Sequence, residues 1–349
     1  MSRPRAYLDW NATTPLRPEA REAMIAAMDV MGNASSVHAE GRAAKGLLES
    51  ARSKIAAALG ASGADIVFTS GATEAAAMAL RGRGLHGADV EHDCVRAWVS
   101  CDLPVDAQGK VLVETPNEAT LQLANSETGA LQELPQGIAV VDAVQAVGKI
   151  PFAFAWSGAD MAFISAHKFG GPKGVGALIL RQGLDVEAIL KGGGQEMSRR
   201  AGTENIISIS GMAAALEAAQ EDLNSGIWNQ VEKLRKILDE SLVAAVPDLI
   251  FFSQEYARLP NTSCFACPGW RGETQVMQMD LAGFAISAGS ACSSGKVRSS
   301  AVLKAMGASD EVAGSAIRVS LGPTTTEAEV AGFVEAWTKH YHRRRSRAA

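Results

Sequence analysis

Hydrophobic and polar positions along the chain follow first a helical and then a strand-like period. The stretch "SSVHAEGRAAKGLLESARSKIAAALG", residues 35–60, predicts an Ala-rich amphipathic helix, capped at its start by Ser35 or Ser36 and at its end by Gly60. Short apolar runs come after it: "DIVFTS", "RAWVS", "TLQLA", "IAVVDA", "MAFISA" and "GALIL". Several are nearly continuous, as strands buried on both faces of a sheet are, so an α/β core is expected. The helical period returns between Gly211 and Ala219, and "IWNQVEKLRKILDESLVAAVPDL" predicts a long amphipathic helix bridging two domains. Beyond it, "LIFFS", "NTSCFAC", "FAISA" and "SAIRVSLG", separated by helical stretches, predict a smaller α+β domain.

Composition narrows the classes. With 349 residues, 47% hydrophobic and 20% charged, the chain is long enough for more than one core. No apolar run reaches the roughly 18 residues of a membrane span, and "MSRPRAYLDWNATTP" leads into no signal-peptide core, so a cytoplasmic protein is expected. The net charge of -5 is mild, and the basic "HYHRRRSRAA" reads as a frayed, solvated tail rather than a nucleic-acid site. Neither membrane nor nucleic acid is an expected partner.

Five cysteines in a chain without a secretion signal predict reduced thiols. Cys264 and Cys267 form a CxxC, but no second pair completes a zinc site, so a strand and turn are expected there. Cys94 and Cys101 flank "VRAWVS", read as a strand, and are expected at its ends or in the core. Cys292 stands apart, in "SAGSACSSGKVRSS", among small residues that suit a mobile loop rather than a core.

The candidate chemistry centres on "MAFISAHKFGGPKGVGALIL". Lys168 follows an apolar strand beside Ser165 and His167, just ahead of glycines that let another group approach the backbone. A lysine there is usually a solvated charge, but this arrangement suits a Schiff base with pyridoxal 5'-phosphate, which needs a phosphate cradle and a carboxylate opposite the pyridine nitrogen. In "IVFTSGATEAAAMAL", Gly71, Ala72 and Thr73 lie at a strand–turn–helix junction, where helix amides and a hydroxyl can hold a phosphate. In "IAVVDAVQAVGK", Asp142 ends a strand one crossover unit before Lys168, so its carboxylate can emerge on the same sheet edge; a plain helix cap is the other reading.

At this point the chain resembles the class V aminotransferase superfamily, and within it the cysteine desulfurases of iron–sulfur assembly. The matching motifs, in order, are "YLDWNATTP", "FTSGATE", "EHDCV", "NSETG", "VDAVQAVGK", "SAHKFGGPKG", "RRAGTEN", "SAGSACSSG" and "IRVSLG", which together span nearly the whole chain. The resemblance implies fold type I of the pyridoxal-phosphate enzymes. Its large domain, residues 15–235, would hold a mainly parallel sheet covered by helices, and residues 1–14 with 236–349 would form the small domain.

It also implies roles. Lys168 would bind the cofactor, Asp142 would pair with its ring nitrogen and Gln145 with its phenolic oxygen. Ala72, Thr73, Ser165 and His167 would hold the phosphate, with Thr203 reaching in from the other subunit of a homodimer. His92, on bare sequence an exposed loop histidine, would stack on the ring and help move protons. Arg318, otherwise a solvated strand arginine, would clamp the substrate carboxylate with Asn125 nearby. Cys292 as thiolate would take the sulfur of free cysteine, leaving alanine and a persulfide to be passed to a scaffold or other sulfur-acceptor protein. Cys292 is also the one candidate for transient iron–sulfur ligation; no resident metal is implied.

The pattern departs from the family in three respects. Ser126 stands where a second asparagine normally touches the cofactor ring, Ala77 stands where the family has asparagine, and the segments on either side of Ser126 are short. These departures leave selenocysteine lyase, or another enzyme of this superfamily, as the alternative activity, and a partner-binding relative without turnover as the non-enzymatic one.

Overall fold

The computed structural model describes residues 5–289 and 299–348, and all that follows concerns these. Its larger sheet has five strands: β1 (Asp65–Thr69), β2 (Thr120–Gln122), β3 (Val140–Asp142), β4 (Met161–Ser165) and β5 (Gly176–Leu180). Their order across the sheet is β1-β5-β4-β3-β2. β2, β3 and β4 pair in parallel, while β5 pairs antiparallel with both β4 and β1. The sheet is therefore mixed, with four strands running one way and only β5 reversed.

The near-continuous apolar runs have the cause inferred for them, since both faces of this sheet are covered. Ile66, Phe68, Val141, Ala162 and Ile164 face one core, closed by helices α2 (Ala39–Ala58) and α5 (Ile206–Ser225). Val67, Val140, Met161, Phe163 and Leu178 face another, closed by α3 (Ala72–Leu80). Helix α1 (Pro18–Met28) packs along α5.

A second sheet of four antiparallel strands is built from β6 (Ile250–Phe251), β7 (Thr262–Ala266), β8 (Ser287–Ala288) and β9 (Ala316–Ser320), in the order β8-β9-β7-β6. Helices α6 (Ile227–Ala245) and α7 (Glu327–Ala348) bury Val231, Leu238, Phe333 and Trp337 against Phe265, Ile317 and Val319. The N-terminal strand Ala6–Tyr7 pairs with Phe284–Ala285 on this side of the molecule.

Three local expectations give way. The helix expected from Ser35 or Ser36 starts at Ala39, because His38 supplies the cap by accepting the Gly41 amide at 3.3 Å. "VRAWVS" is not a strand: Asp93–Arg96 forms one helical turn, α4, because His92 caps it by accepting the Cys94 amide, and Ser100–Cys101 is a two-residue strand. The basic tail does not fray through Tyr341, which is buried and stacks on Trp337 with ring centroids 5.8 Å apart, extending α7. Cys264 and Cys267 are both buried, in β7 and just after it.

Candidate active site

The four co-directional strands bring their carboxyl ends to one edge of the larger sheet. Thr69 and Ser165 are both register partners of Gly176, and Asp142 is the partner of Phe163, two residues before Ser165. A cavity of about 570 Å³ opens at this edge, lined on its large-sheet side by Gly71, Ala72, Thr73, His92, Ser126, Asp142, Gln145, Ser165, His167 and Lys168. Arg318, from β9 of the second sheet, completes the wall.

Glycine at two positions shapes the end of this cavity beside α3. Gly71 has φ +151°, and a Cβ there would meet only Ser165 Oγ, at 3.9 Å, so the residue leaves room where a ligand can approach. A Cβ on Gly176 would lie 2.6 Å from the Ile164 carbonyl oxygen and 2.8 Å from Gly71 Cα, so β5 can start here only as glycine. The turn delivers the first amides of α3, which lack intrahelical acceptors, to the wall shared with Thr73 and Ser165.

Lys168 ends a short turn, Ala166–Lys168, that continues β4. Its Nζ donates to the carbonyl oxygens of Asn11 (2.7 Å) and Ala12 (3.0 Å). The same N-terminal strap is tied down by Thr14, whose amide and hydroxyl both donate to the His167 carbonyl at 2.9 Å. His167 Nδ1 lies 3.2 Å from Thr13 Oγ1, and burial, with the charges of Lys168, Lys173 and Lys149, pushes its imidazole down to about 4. His167 is therefore neutral at pH 7.

Asp142 is buried, and one carboxylate oxygen accepts the Val144 amide at 2.9 Å. Burial raises its carboxyl above the ordinary aspartate range, while that amide and the charges of His92 and Lys168 pull it back. His92 caps α4 by accepting the Cys94 amide on Nδ1 at 3.2 Å, so the neutral ring carries its proton on Nε2. Cys94 Sγ is 3.0 Å from the same Nδ1, and Cys94 lines the cavity instead of lying in a strand.

Arg318 is buried; Nη2 donates to Asp9 (2.8 Å), which also accepts Ser287 Oγ (2.8 Å), and Nη1 donates to the Ser126 carbonyl (2.8 Å). Its Nε is buried with no hydrogen-bond partner among the described residues. Asn125 turns elsewhere: its amide donates to the Val90 carbonyl, its oxygen accepts the amides of Glu127 and Thr128, and it does not line the cavity. Thr203 is exposed and away from the cavity wall of its own chain. Cys292 lies outside the described residues.

Sequence reasoning left Asn11, Lys149, Asp9 and Glu127 without roles. Asn11 is buried; its Nδ2 donates to Thr262 Oγ1 (2.8 Å) and the Ser126 carbonyl (3.3 Å), and its Oδ1 accepts from Asn261 Nδ2 (3.0 Å) and Lys149 Nζ (3.2 Å). The signal available was its position inside "YLDWNATTP".

The donor set can be tested against pyridoxal phosphate. An anion suits the amides and hydroxyls around Gly71, a buried carboxylate at Asp142 suits a protonated ring nitrogen, and Lys168 opens between them. Lys149 lies buried outside the cavity wall and Lys173 is exposed on its rim, so Lys168 is the lysine best set to bind the group. The residues present fit it.

Fold and site together define an α/β enzyme of fold type I, the class built to hold pyridoxal phosphate on a lysine. The chain belongs to the aminotransferase class-V family, whose model matches residues 6–95 and 102–333. A cysteine desulfurase of Cereibacter sphaeroides is 40% identical over 95% of this chain and 94% of that protein. The X-ray structure of a NifS-like protein from Rickettsia africae superposes with a TM-score of 0.89 and 32% identity, covering 97% of this chain and 99% of that one. A structure described as SspA in complex with cysteine matches with a TM-score of 0.75 and 27% identity, over 92% of this chain and all of that one.

Proposed function

We infer that this chain is a pyridoxal-phosphate-dependent cysteine desulfurase, taking sulfur from L-cysteine onto Cys292 and leaving L-alanine. The observation that carries the reading is the grouping, in one cavity, of the Lys168 amine, the buried Asp142 carboxylate and the amide-rich turn at Gly71. Relatives named cysteine desulfurase, and a structural neighbour described with cysteine bound, support the substrate. Bound at Lys168, the cofactor would supply an electron sink that makes the hydrogen on the substrate Cα acidic.

The chain's own residues divide the rest. Thr73, Ser165 and neutral His167 would hold the phosphate beside the start of α3. Asp142 would keep the ring nitrogen protonated, which relieves the desolvation of its own carboxyl. Gln145 would donate to the phenolic oxygen. Ser126, shorter than the family's asparagine, accepts through its backbone carbonyl from Arg318 Nη1 and Asn11 Nδ2.

Arg318 would bind the substrate carboxylate, and its unpartnered Nε is the donor that an anion there would satisfy. Asp9 keeps the guanidinium plane fixed from behind. The Lys168 amine is the base for the Cα proton, and His92, with its proton on Nε2, is a donor on the cavity side. The balance closes within the chain: the Cys292 thiolate attacks the substrate sulfur, the C–S bond breaks, and cysteine plus enzyme thiol becomes alanine plus enzyme persulfide.

The reading extends to a homodimer, in which exposed Thr203 serves the partner's site, and to cytoplasmic delivery of sulfur to an acceptor such as an iron–sulfur scaffold protein. No helix among the described residues is long and apolar enough to cross a membrane. Reconstitution with pyridoxal phosphate, borohydride reduction and peptide mapping test the site: the label is expected on Lys168 and lost in Lys168→Ala. A label on Lys149 or Lys173 would overturn the assignment.

A further inference from the structure

Behind the cavity wall lies a lysine that none of these steps uses. Lys149 is 2% exposed, ends the turn that follows Gln145, and does not line the cavity. A lysine so deeply buried is costly unless its amine is fully engaged. Its Nζ donates to Gln145 Oε1 in a short contact and to Asn11 Oδ1 at 3.2 Å. The two acceptors are themselves joined, since Gln145 Nε2 donates to the Asn11 carbonyl at 2.9 Å. That carbonyl is also the one that takes the Lys168 amine at 2.7 Å.

Orientation follows from the acceptor chemistry. A carbonyl only accepts, so the Gln145 atom facing the Asn11 carbonyl is the nitrogen, and the oxygen must face Lys149. A side-chain amide without a second contact could rotate and present its oxygen to the cavity instead. We propose that Lys149 is a positioning residue that grips Gln145 Oε1 and Asn11 Oδ1 from behind the cavity, so that Gln145 presents its N–H donor on the side of Lys168.

The inference rests on the reading of Gln145 as the partner of the cofactor's phenolic oxygen. It explains why an amine sits where burial and the charges of Lys168 and Arg318 hold it well below the ordinary lysine range. A methionine would fill the same space without a donor, and would leave the buried Gln145 Oε1 without its partner while Asn11 Oδ1 kept only Asn261 Nδ2.

The experiment is a pH titration of the visible absorption band of the bound cofactor in the holoenzyme. Asp142, His92, Cys94, His167, Lys168, Lys173 and Arg318 are the other charged or titratable groups around the cavity and stay constant across the variants. Donation to the phenolic oxygen draws electron density from the proton that oxygen shares, so its loss moves the midpoint up, by about one pH unit. Lys149→Met and Gln145→Leu are each expected to give this shift, and Lys149→Met is expected to add nothing in a Gln145→Leu background.

A shift that persists undiminished in that background would show Lys149 acting through its own charge and would overturn the proposal. So would an unchanged midpoint in a folded, cofactor-loaded Lys149→Met chain. Should that variant not fold, Lys149→Gln, which keeps a donor in the space, is expected to titrate like the wild type; a shift as large as that of Gln145→Leu would be contrary. A wild-type chain that takes up no cofactor would instead bring down the functional reading itself.

Discussion

Glu127 is the residue whose surroundings have the plainest consequence outside the cavity wall. Its carboxylate accepts Ser300 Oγ at 2.5 Å, and a Cβ on Gly289 would come within 2.9 Å of it, so it sits between the two ends that flank residues 290–298. Burial pushes its carboxyl from 4.5 up to about 7, against the pull of Ser300 and Arg318. Because the fold favours the protonated form, this contribution to stability is fully present below 4.5 and is lost as the pH rises through 7. Glu127→Gln keeps an acceptor for Ser300 without the charge. In thermal unfolding at pH 8 it is expected to gain about 2 kcal/mol over wild type, discounted for partial exposure, and to match it at pH 4.5.

Single residues also divide by how far their roles could be read from the sequence. Lys168, Asp142 and the glycine turn at Gly71 follow local patterns, each a strand end with a particular residue on it, and local patterns are what a sequence displays. Asn11 owes its role to partners more than 100 residues away, Gln145, Lys149 and Thr262, and Lys149 owes its own to distant Asn11 as well as to nearby Gln145. A buried asparagine and a lysine after a glycine look solvated until the fold brings them together. Asn125 shows the opposite: an amide beside a motif serine invites a substrate role, whereas its hydrogen bonds hold the turn Asn125–Thr128.

Among the elements, the junction of β1, α3 and β5 does the most to shape the site. Gly176 lets the start of β5 pass within contact of Gly71, which aims the amides of α3. In Gly176→Ala the added methyl meets backbone on two sides and cannot be relieved by rotating a side chain. The expected cost is about 2 kcal/mol in denaturant unfolding, together with a weaker affinity for pyridoxal phosphate in equilibrium titration. Wild-type affinity in this variant would contradict the role given to the turn. The strands of this sheet were readable because burial on both faces makes them uniformly apolar. "RAWVS" misleads: Ala97 and Trp98 are exposed just after the helical turn that places His92 and Cys94, and composition alone does not show that they lie outside the sheet.

At the scale of the whole molecule, the two sheets are tied together by a strap, residues 5–14. Asn11 and Asp9 reach Thr262, Ser320 and Arg318 on one side, and Lys149 and Gln145 on the other. The mixed direction of the larger sheet was not readable, because a buried strand has the same apolar run whichever way it points. The packing of the C-terminal helix as far as Tyr341 was hidden by the arginines after it, of which Arg343 and Arg345 are exposed while Tyr341 and Trp337 are buried.

The central claim is that this assembly moves sulfur from cysteine to Cys292, and single-turnover mass mapping tests it most directly. The holoenzyme is mixed with one equivalent of L-cysteine without an added thiol, quenched, and analysed for alanine and for the sulfur content of each cysteine peptide. The account predicts one alanine per chain, one added sulfur on the peptide containing Cys292, and neither product in Lys168→Ala. Alanine without sulfur on Cys292, or sulfur on Cys94 in its place, would contradict it.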